Sequence, residues 1–203
     1  MRVTLYNTPV VSHLLVLLAK IFLHLTGWKV NGPPPRVARY IIIGAPHTSR
    51  WDFIFGIAIA LKCKIRCHWL GSSALFWGPF GIVLRWLGGI PVNRKRKNSL
   101  VNQTVCAYKQ HHQLGIVICP EGGMNKGERW HTGFYHIARN AEIPIIPGYL
   151  DFNTKTGGFG SAIKPSCNMS KDMAEIEAFY ANIYGKFPES FSPVNSNAIS
   201  SSG

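Results

Sequence analysis

Acidic side chains are scarce in this 203-residue chain: 9 Asp and Glu stand against 22 Lys and Arg. The formal charge of +13 calls for an anionic partner, such as phospholipid headgroups, nucleotides or nucleic acid. No weave of aromatic and basic residues accompanies the surplus. The cations gather at Arg94, Lys95, Arg96 and Lys97 and at Lys62, Lys64 and Arg66, between long apolar stretches. That pattern suits a membrane surface better than a nucleic-acid groove, and the alternative is solvated loop charge. Paired metal-ligand spacing is missing too: Cys63, Cys67 and His68 have no second Cys or His pair to complete a zinc site. An odd count of 5 cysteines speaks for a reduced, cytoplasmic chain.

No segment clearly reaches the ~20 apolar residues that a transmembrane helix needs. Residues 9–26, PVVSHLLVLLAKIFLHLT, come nearest, but His13, Lys20 and His24 interrupt them. Only Arg2 precedes this run and no small-x-small site follows it, so a cleaved signal peptide is not expected. Residues 1–30 are read as an interfacial or shallowly inserted helix opened by Pro9, with a buried core helix as the alternative. At the other end, residues 189–203 are rich in Ser, Asn and proline-flanked turns and are expected to be a disordered tail. Residues 31–188 then form one domain, since no repeat divides them and an apolar content of 46% supports one sizeable core.

Within that domain, short apolar runs alternate with helical spacing. Gly32-Pro33-Pro34-Pro35 cannot continue a helix and leads into the β-branched run Tyr40-Ile41-Ile42-Ile43-Gly44. Helical patterns over 52–61, 78–87, 100–108 and 134–141 are separated by strand-like runs at 65–70, 89–92, 115–119 and 143–150. Pro144 and Pro147 place the last of these strands at a sheet edge or put the prolines near its ends. A final helix carries Met173, Ile176, Tyr180 and Ile183. The alternation predicts an α/β domain with a mixed, largely parallel sheet flanked by helices.

The first strand ends in Gly44-Ala45-Pro46-His47-Thr48-Ser49-Arg50-Trp51-Asp52, a strand-to-helix junction of the kind where α/β folds place their sites. Residues five apart on one helix point ~140° apart, so His47 and Asp52 can meet only if His47 sits on the turn before the helix. Pro46, with Thr48 or Ser49 as N-cap, makes such a turn. In that geometry Asp52 accepts a hydrogen bond from one ring nitrogen of His47, and the other nitrogen takes a proton from a hydroxyl. The alternative is a histidine that fills a turn and an aspartate that caps a helix.

Company downstream changes that balance: Gly88-Gly89-Ile90-Pro91-Val92-Asn93-Arg94, then Cys119-Pro120-Glu121-Gly122-Gly123, then Ile143-Pro144-Ile145-Ile146-Pro147. With these blocks in order over residues 27–188, the chain resembles the glycerolipid acyltransferase family, the group that includes 1-acylglycerol-3-phosphate acyltransferases, and specifically its small bacterial-type members. The resemblance implies a fatty acyl transfer from acyl-CoA or acyl-carrier protein to a hydroxyl of a lysophospholipid such as 1-acyl-sn-glycerol-3-phosphate, in phospholipid biosynthesis. It implies His47 as general base and Asp52 as its orienting partner. Arg94 is implied at the acceptor's phosphate, a role that suits a permanently charged guanidinium. Glu121, Gly122 and Gly123 match the block that binds and positions the acceptor. The family's usual Thr and Arg after Glu-Gly are Gly123 and Met124 here, so Lys126 or Arg129 becomes the substitute cation.

No metal and no bound cofactor are expected, because a thioester donor already carries an activated acyl group. Oxyanion donors are sought among backbone amides near the start of the helix after His47 or around Gly122. The expected location is peripheral or shallowly inserted at the cytoplasmic face of a membrane, with the membrane surface as partner and no nucleic acid. Two other readings stand beside this one. A membrane-binding protein could retain the acyltransferase fold without catalysis, or a thioester hydrolase could use the dyad on water; no Gly-x-Ser-x-Gly elbow supports a serine hydrolase.

Overall fold

The computed structural model describes residues 4–6, 8–92, 97–122 and 130–192. In chain order the elements are α1 Val11–Leu25, β1 Lys29–Asn31, β2 Arg39–Gly44, α2 Arg50–Lys62, β3 Cys67–Ser72, α3 Gly78–Trp86 and β4 Gly89–Val92. They continue with α4 Lys97–Gln110, β5 Leu114–Ile118, α5 Gly133–Asn140, β6 Ile145–Asp151, β7 Thr156–Phe159 and α6 Met169–Tyr180. Short 3-10 turns occupy Ser73–Phe76 and Pro188–Ser190.

The strands of the described residues form one sheet in the order β1-β7-β6-β2-β5-β3-β4, parallel throughout except between β6 and β7. The mixed, largely parallel α/β sheet expected from the alternating pattern is therefore what the chain adopts. From β2 the chain moves outward through α2, β3, α3 and β4, then returns through α4 and α5 to β6. Right-handed crossovers place α2 and α3 on one face and α4 and α5 on the other. The apolar contacts agree: Ile41 and Ile43 join Tyr108, Phe134, Ile137 and Tyr180, while Tyr40 and Ile42 of the same strand join Ala60, Ile65 and Cys67. Strand alternation thus feeds two cores at once.

Several boundaries depart from the sequence-based expectation. The strand expected at 65–70 runs over Cys67–Ser72 because Ile65 belongs to the stop of α2. Lys64 adopts φ +56°, its amide donates to Leu61 O at 3.0 Å and the Ile65 amide to Ala60 O at 2.8 Å, the paired bonds that end a helix. Pro147 is not at an edge: it lies within β6, between β2 and β7. The Ile145 amide faces the β7 side, where it donates to Ile163 O, so the nitrogen of Pro147, two residues on, faces the same way. There Pro147 stands opposite Gly160, whose amide donates to Pro147 O at 2.7 Å, so the pair keeps one bond and lacks only the reciprocal one, just outside the β7 register that starts at Gly148.

The two ends also differ from expectation. Within the described part of residues 1–30 the expected helix is α1, which lies on α2 through buried Ala19 and Leu23, and the boundary expected after residue 30 falls inside β1, which begins at Lys29 and pairs with β7. Trp28 stacks on Phe55 with ring centroids 4.2 Å apart. Of residues 189–192, expected to open the disordered tail, Glu189 is exposed, but Ser192 is fully buried. The rest of the expected tail, residues 193–203, lies outside the described residues.

Candidate active site

β2 ends at Gly44, a cis bond joins Ala45 to Pro46, and α2 begins at Arg50, so His47 stands on the connecting turn and not on the helix. The condition set by helix geometry is met. Ser49 is the N-cap of α2, with extended backbone and its hydroxyl oxygen accepting from the Trp51 amide at 3.2 Å. Asp52 closes the reciprocal capping box by accepting from the Ser49 amide at 2.8 Å. The same oxygen, Oδ2, accepts from the Thr48 amide at 2.8 Å and lies 3.3 Å from His47 Nδ1. One carboxylate oxygen therefore caps the helix, holds the turn and faces the imidazole. Its partner Oδ1 is buried without a hydrogen bond.

Burial divides the pair. The Asp52 side chain is 6% exposed and that of His47 25%, so the aspartate is shielded while the imidazole remains accessible. With Nδ1 turned to Asp52, Nε2 lies on the far side of the ring. An ionised carboxylate beneath Nδ1 favours the tautomer that leaves Nε2 as the acceptor and stabilises the imidazolium once a proton arrives.

Glu121 follows β5 and comes to the same end of the sheet. It is 5% exposed; its Oε1 accepts from the His47 amide at 2.7 Å and its Oε2 from the Ser192 amide at 3.4 Å. Burial pushes its carboxyl above the ordinary value, and the two amides and the neighbouring His47 pull it back. Both oxygens expected to meet an acceptor thus already have partners in the protein.

Gly122 adopts φ +77°, and a Cβ there would lie 2.8 Å from the His131 ring. The left-handed backbone favours glycine there, and a side chain would also displace the close histidine ring. Gly122→Ala is expected to cost about 1–2 kcal/mol of stability, mostly from the left-handed backbone, because the exposed His131 ring can swing aside. Urea denaturation measures it, and an unchanged midpoint would contradict this account.

The amides of His47, Thr48, Ser49, Trp51 and Asp52 all donate within the protein. The oxyanion donors expected near the start of α2 are accordingly not among these. Arg94, Gly123, Lys126 and Arg129 lie outside the described residues, as does Met124. Lys62 ends α2, and Lys64 and Arg66 follow it, at the opposite end of the sheet from His47.

Sequence reasoning missed the contribution of residues 184–192. The Phe187 amide donates to Thr48 Oγ1 at 3.2 Å, and Trp130 Nε1 donates to Ser192 O at 2.8 Å. Only the Pro-flanked, serine-rich composition was visible there, and nothing in it signals partners 62 and 139 residues away. A surface cavity of about 360 Å³, lined by Phe152, Asn153, Tyr184, Gly185, Lys186 and Pro188, adjoins the far side of the turn, where Gly185 meets Thr48 and Pro46.

Comparison with known proteins places these residues in context. The family model described as Acyltransferase matches residues 29–151, a range that holds His47, Asp52, Glu121 and Gly122. Over 133 residues the chain is 30% identical to the 1-acyl-sn-glycerol-3-phosphate acyltransferase of Haemophilus influenzae, covering 61% of this chain and 54% of that protein. The chain thus spans about half the length of that relative. The crystal structure of the 1-acyl-sn-glycerophosphate (LPA) acyltransferase from Thermotoga maritima aligns with a TM-score of 0.58 at 13% identity, over 83% of this chain and 76% of that one. At that identity the likeness is one of fold.

Proposed function

Because the chain belongs to the Acyltransferase family, we propose that it is an O-acyltransferase that moves a fatty acyl group from acyl-CoA or acyl-carrier protein to a hydroxyl of a lysophospholipid such as 1-acyl-sn-glycerol-3-phosphate. The observation that carries this reading is the 3.3 Å approach of His47 Nδ1 to the buried Asp52 carboxylate, with His47 on the turn.

In the reaction, His47 Nε2 removes the proton of the acceptor hydroxyl as its oxygen attacks the thioester carbon. The carbonyl becomes a tetrahedral oxyanion, and Asp52 stabilises the imidazolium formed beside it. Collapse of the intermediate re-forms the carbonyl and breaks the carbon–sulfur bond, and the imidazolium returns its proton to the departing thiolate. The products are an ester and a free thiol. The thioester supplies the activation, so this chemistry calls for no metal or bound cofactor.

The acceptor of such a reaction resides in a lipid layer, and the surface supports a seat on one. Leu14, Leu17, Leu18, Ile21 and Leu25 of α1 are exposed, as are Phe80, Ile82 and Val83 of α3 with Trp77 before it. Both helices lie on the α2 side of the sheet. Trp77 is 88% and Leu25 78% exposed, values that water alone does not reward. No helix among the described residues is long and apolar enough to cross a membrane, so the proposal is peripheral attachment through this face at the cytoplasmic side, aided by the basic charge. Leu18→Asp combined with Phe80→Asp is expected to weaken binding to vesicles of phosphatidylethanolamine and phosphatidylglycerol at least ~10-fold, since each buried apolar side chain contributes roughly 1.5–3 kcal/mol. Vesicle sedimentation reads it, and undiminished binding would remove this face from the account.

The direct test of the reaction is purified protein with acyl-CoA and with acyl-carrier protein against a panel of lysophospholipids, followed by mass spectrometry of the lipid product. Acylation of lysophosphatidate is the expected result. Transfer to no acceptor in the panel would defeat the proposal.

A further inference from the structure

We infer that residues 187–192 belong to the catalytic apparatus, with Glu121 as a positioning residue whose carboxylate ties the His47 amide to the Ser192 amide. The inference rests on the reading of His47 as general base.

The turn that carries His47 has three successive amides, and all three donate to buried carboxylates. The His47 amide donates to Glu121, and those of Thr48 and Ser49 donate to Asp52. Asp52 belongs to α2 and moves with it. Glu121 belongs to the loop after β5, and its second oxygen is held only by the amide of Ser192 among the hydrogen bonds described. Release of Ser192 would leave a buried carboxylate oxygen without that donor and free Glu121 to rotate away from His47.

The segment has its own anchors. Ser192 O accepts from Trp130 Nε1 at 2.8 Å, and the Trp130 ring meets Tyr180 edge-on with centroids 5.3 Å apart. The Tyr180 hydroxyl lies 3.0 Å from both Ile43 O, near the carboxyl end of β2, and Gly148 O, in the middle of β6. Further along, the Phe187 amide donates to Thr48 Oγ1 at 3.2 Å. Gly185 sits so close that a Cβ there would lie 2.6 Å from Thr48 Oγ1. The segment is therefore fastened to the sheet and touches the turn at both Thr48 and, through Glu121, His47. A carboxylate is the side chain this bridge needs: glutamine would keep one acceptor oxygen and turn an NH2 group toward the other amide.

The test compares Glu121→Gln, Ser192→Pro and the double variant in the full chain, with kcat and the KM of donor and acceptor measured separately. Phe191 has φ −71° and ψ 131°, a conformation compatible with a following proline, so Ser192→Pro removes the N–H without forcing its neighbour. Each single variant is expected to lower kcat about tenfold with both KM values within twofold of wild type. The double variant is expected to be no worse than the weaker single, because both break the same bridge. A rise in acceptor KM for Glu121→Gln, with Ser192→Pro at the wild-type kcat, would overturn the inference and return Glu121 to acceptor binding. Should Ser192→Pro fail to fold by circular dichroism, Trp130→Phe decides instead. It keeps an aromatic ring but not the donor to Ser192 O, and a wild-type kcat would overturn the inference. His47→Ala separates the two failures: wild-type kcat in that variant defeats the general-base reading itself, whereas loss there beside a wild-type Ser192→Pro defeats only the role given to residues 187–192.

Discussion

His47→Ala is expected to lower kcat on a lysophospholipid acceptor by about 10²–10⁴-fold, the contribution typical of a positioned general base. The substitution removes the ring but not the backbone amide that donates to Glu121, so the turn keeps its ties. The side chain is a quarter exposed and fills no part of either core, so stability should change by only about 0.5 kcal/mol. The measurement is initial thiol release from acyl-CoA alongside a thermal melt. A variant with wild-type stability that retains more than a tenth of the wild-type rate would mean that His47 is not the base.

Asp52→Asn should produce a loss of similar size by another route, and it should also weaken the fold. The neutral side chain no longer stabilises an imidazolium, and replacing the orienting aspartate of a comparable dyad costs up to about 10⁴-fold. Oδ2 meanwhile accepts from two backbone amides and faces Nδ1 of His47, while Oδ1 is buried without a partner. If the asparagine oxygen takes the place of Oδ2, its NH2 group occupies that unpartnered site; if it flips, the NH2 confronts two N–H donors. Either arrangement leaves a buried polar group unsatisfied, at about 1–3 kcal/mol. The signature is a drop in both kcat and the urea midpoint, in contrast to His47→Ala, which should move only kcat. An Asp52→Asn protein with wild-type kcat would refute the pairing.

That contrast follows from one carboxylate serving as helix cap and as imidazole partner. Such sharing explains why the local pattern was so legible. The β-branched run ending in Gly44, the proline before His47 and the N-cap Ser49 ahead of Asp52 are all short-range signals, and the junction forms where they predict it. The helices of the domain were legible for the same reason, each carrying apolar residues at helical spacing. β1 and β7 were not. They have three and four residues, and β7 reads Thr-Gly-Gly-Phe, a composition with little strand preference. They exist because they pair with each other and, through β7, with β6.

Glu121 marks the boundary most clearly. Its place in a Pro-Glu-Gly block suggested a carboxylate offered to a substrate hydroxyl, but its oxygens are met by amides 74 residues earlier and 71 residues later in the chain. By itself, then, the sequence determined the βα alternation and the junction that brings His47 to Asp52, and with it the chemistry proposed for that pair, because periodicity, capping and glycine or proline stops act within a few residues. Only the tertiary structure decided that Glu121 accepts from the His47 amide, that α1 lies on α2 and that Ser192 is buried beside the site. Those contacts depend on the order in which the sheet assembles its strands, and no residue type announces a partner that the chain reaches only after folding.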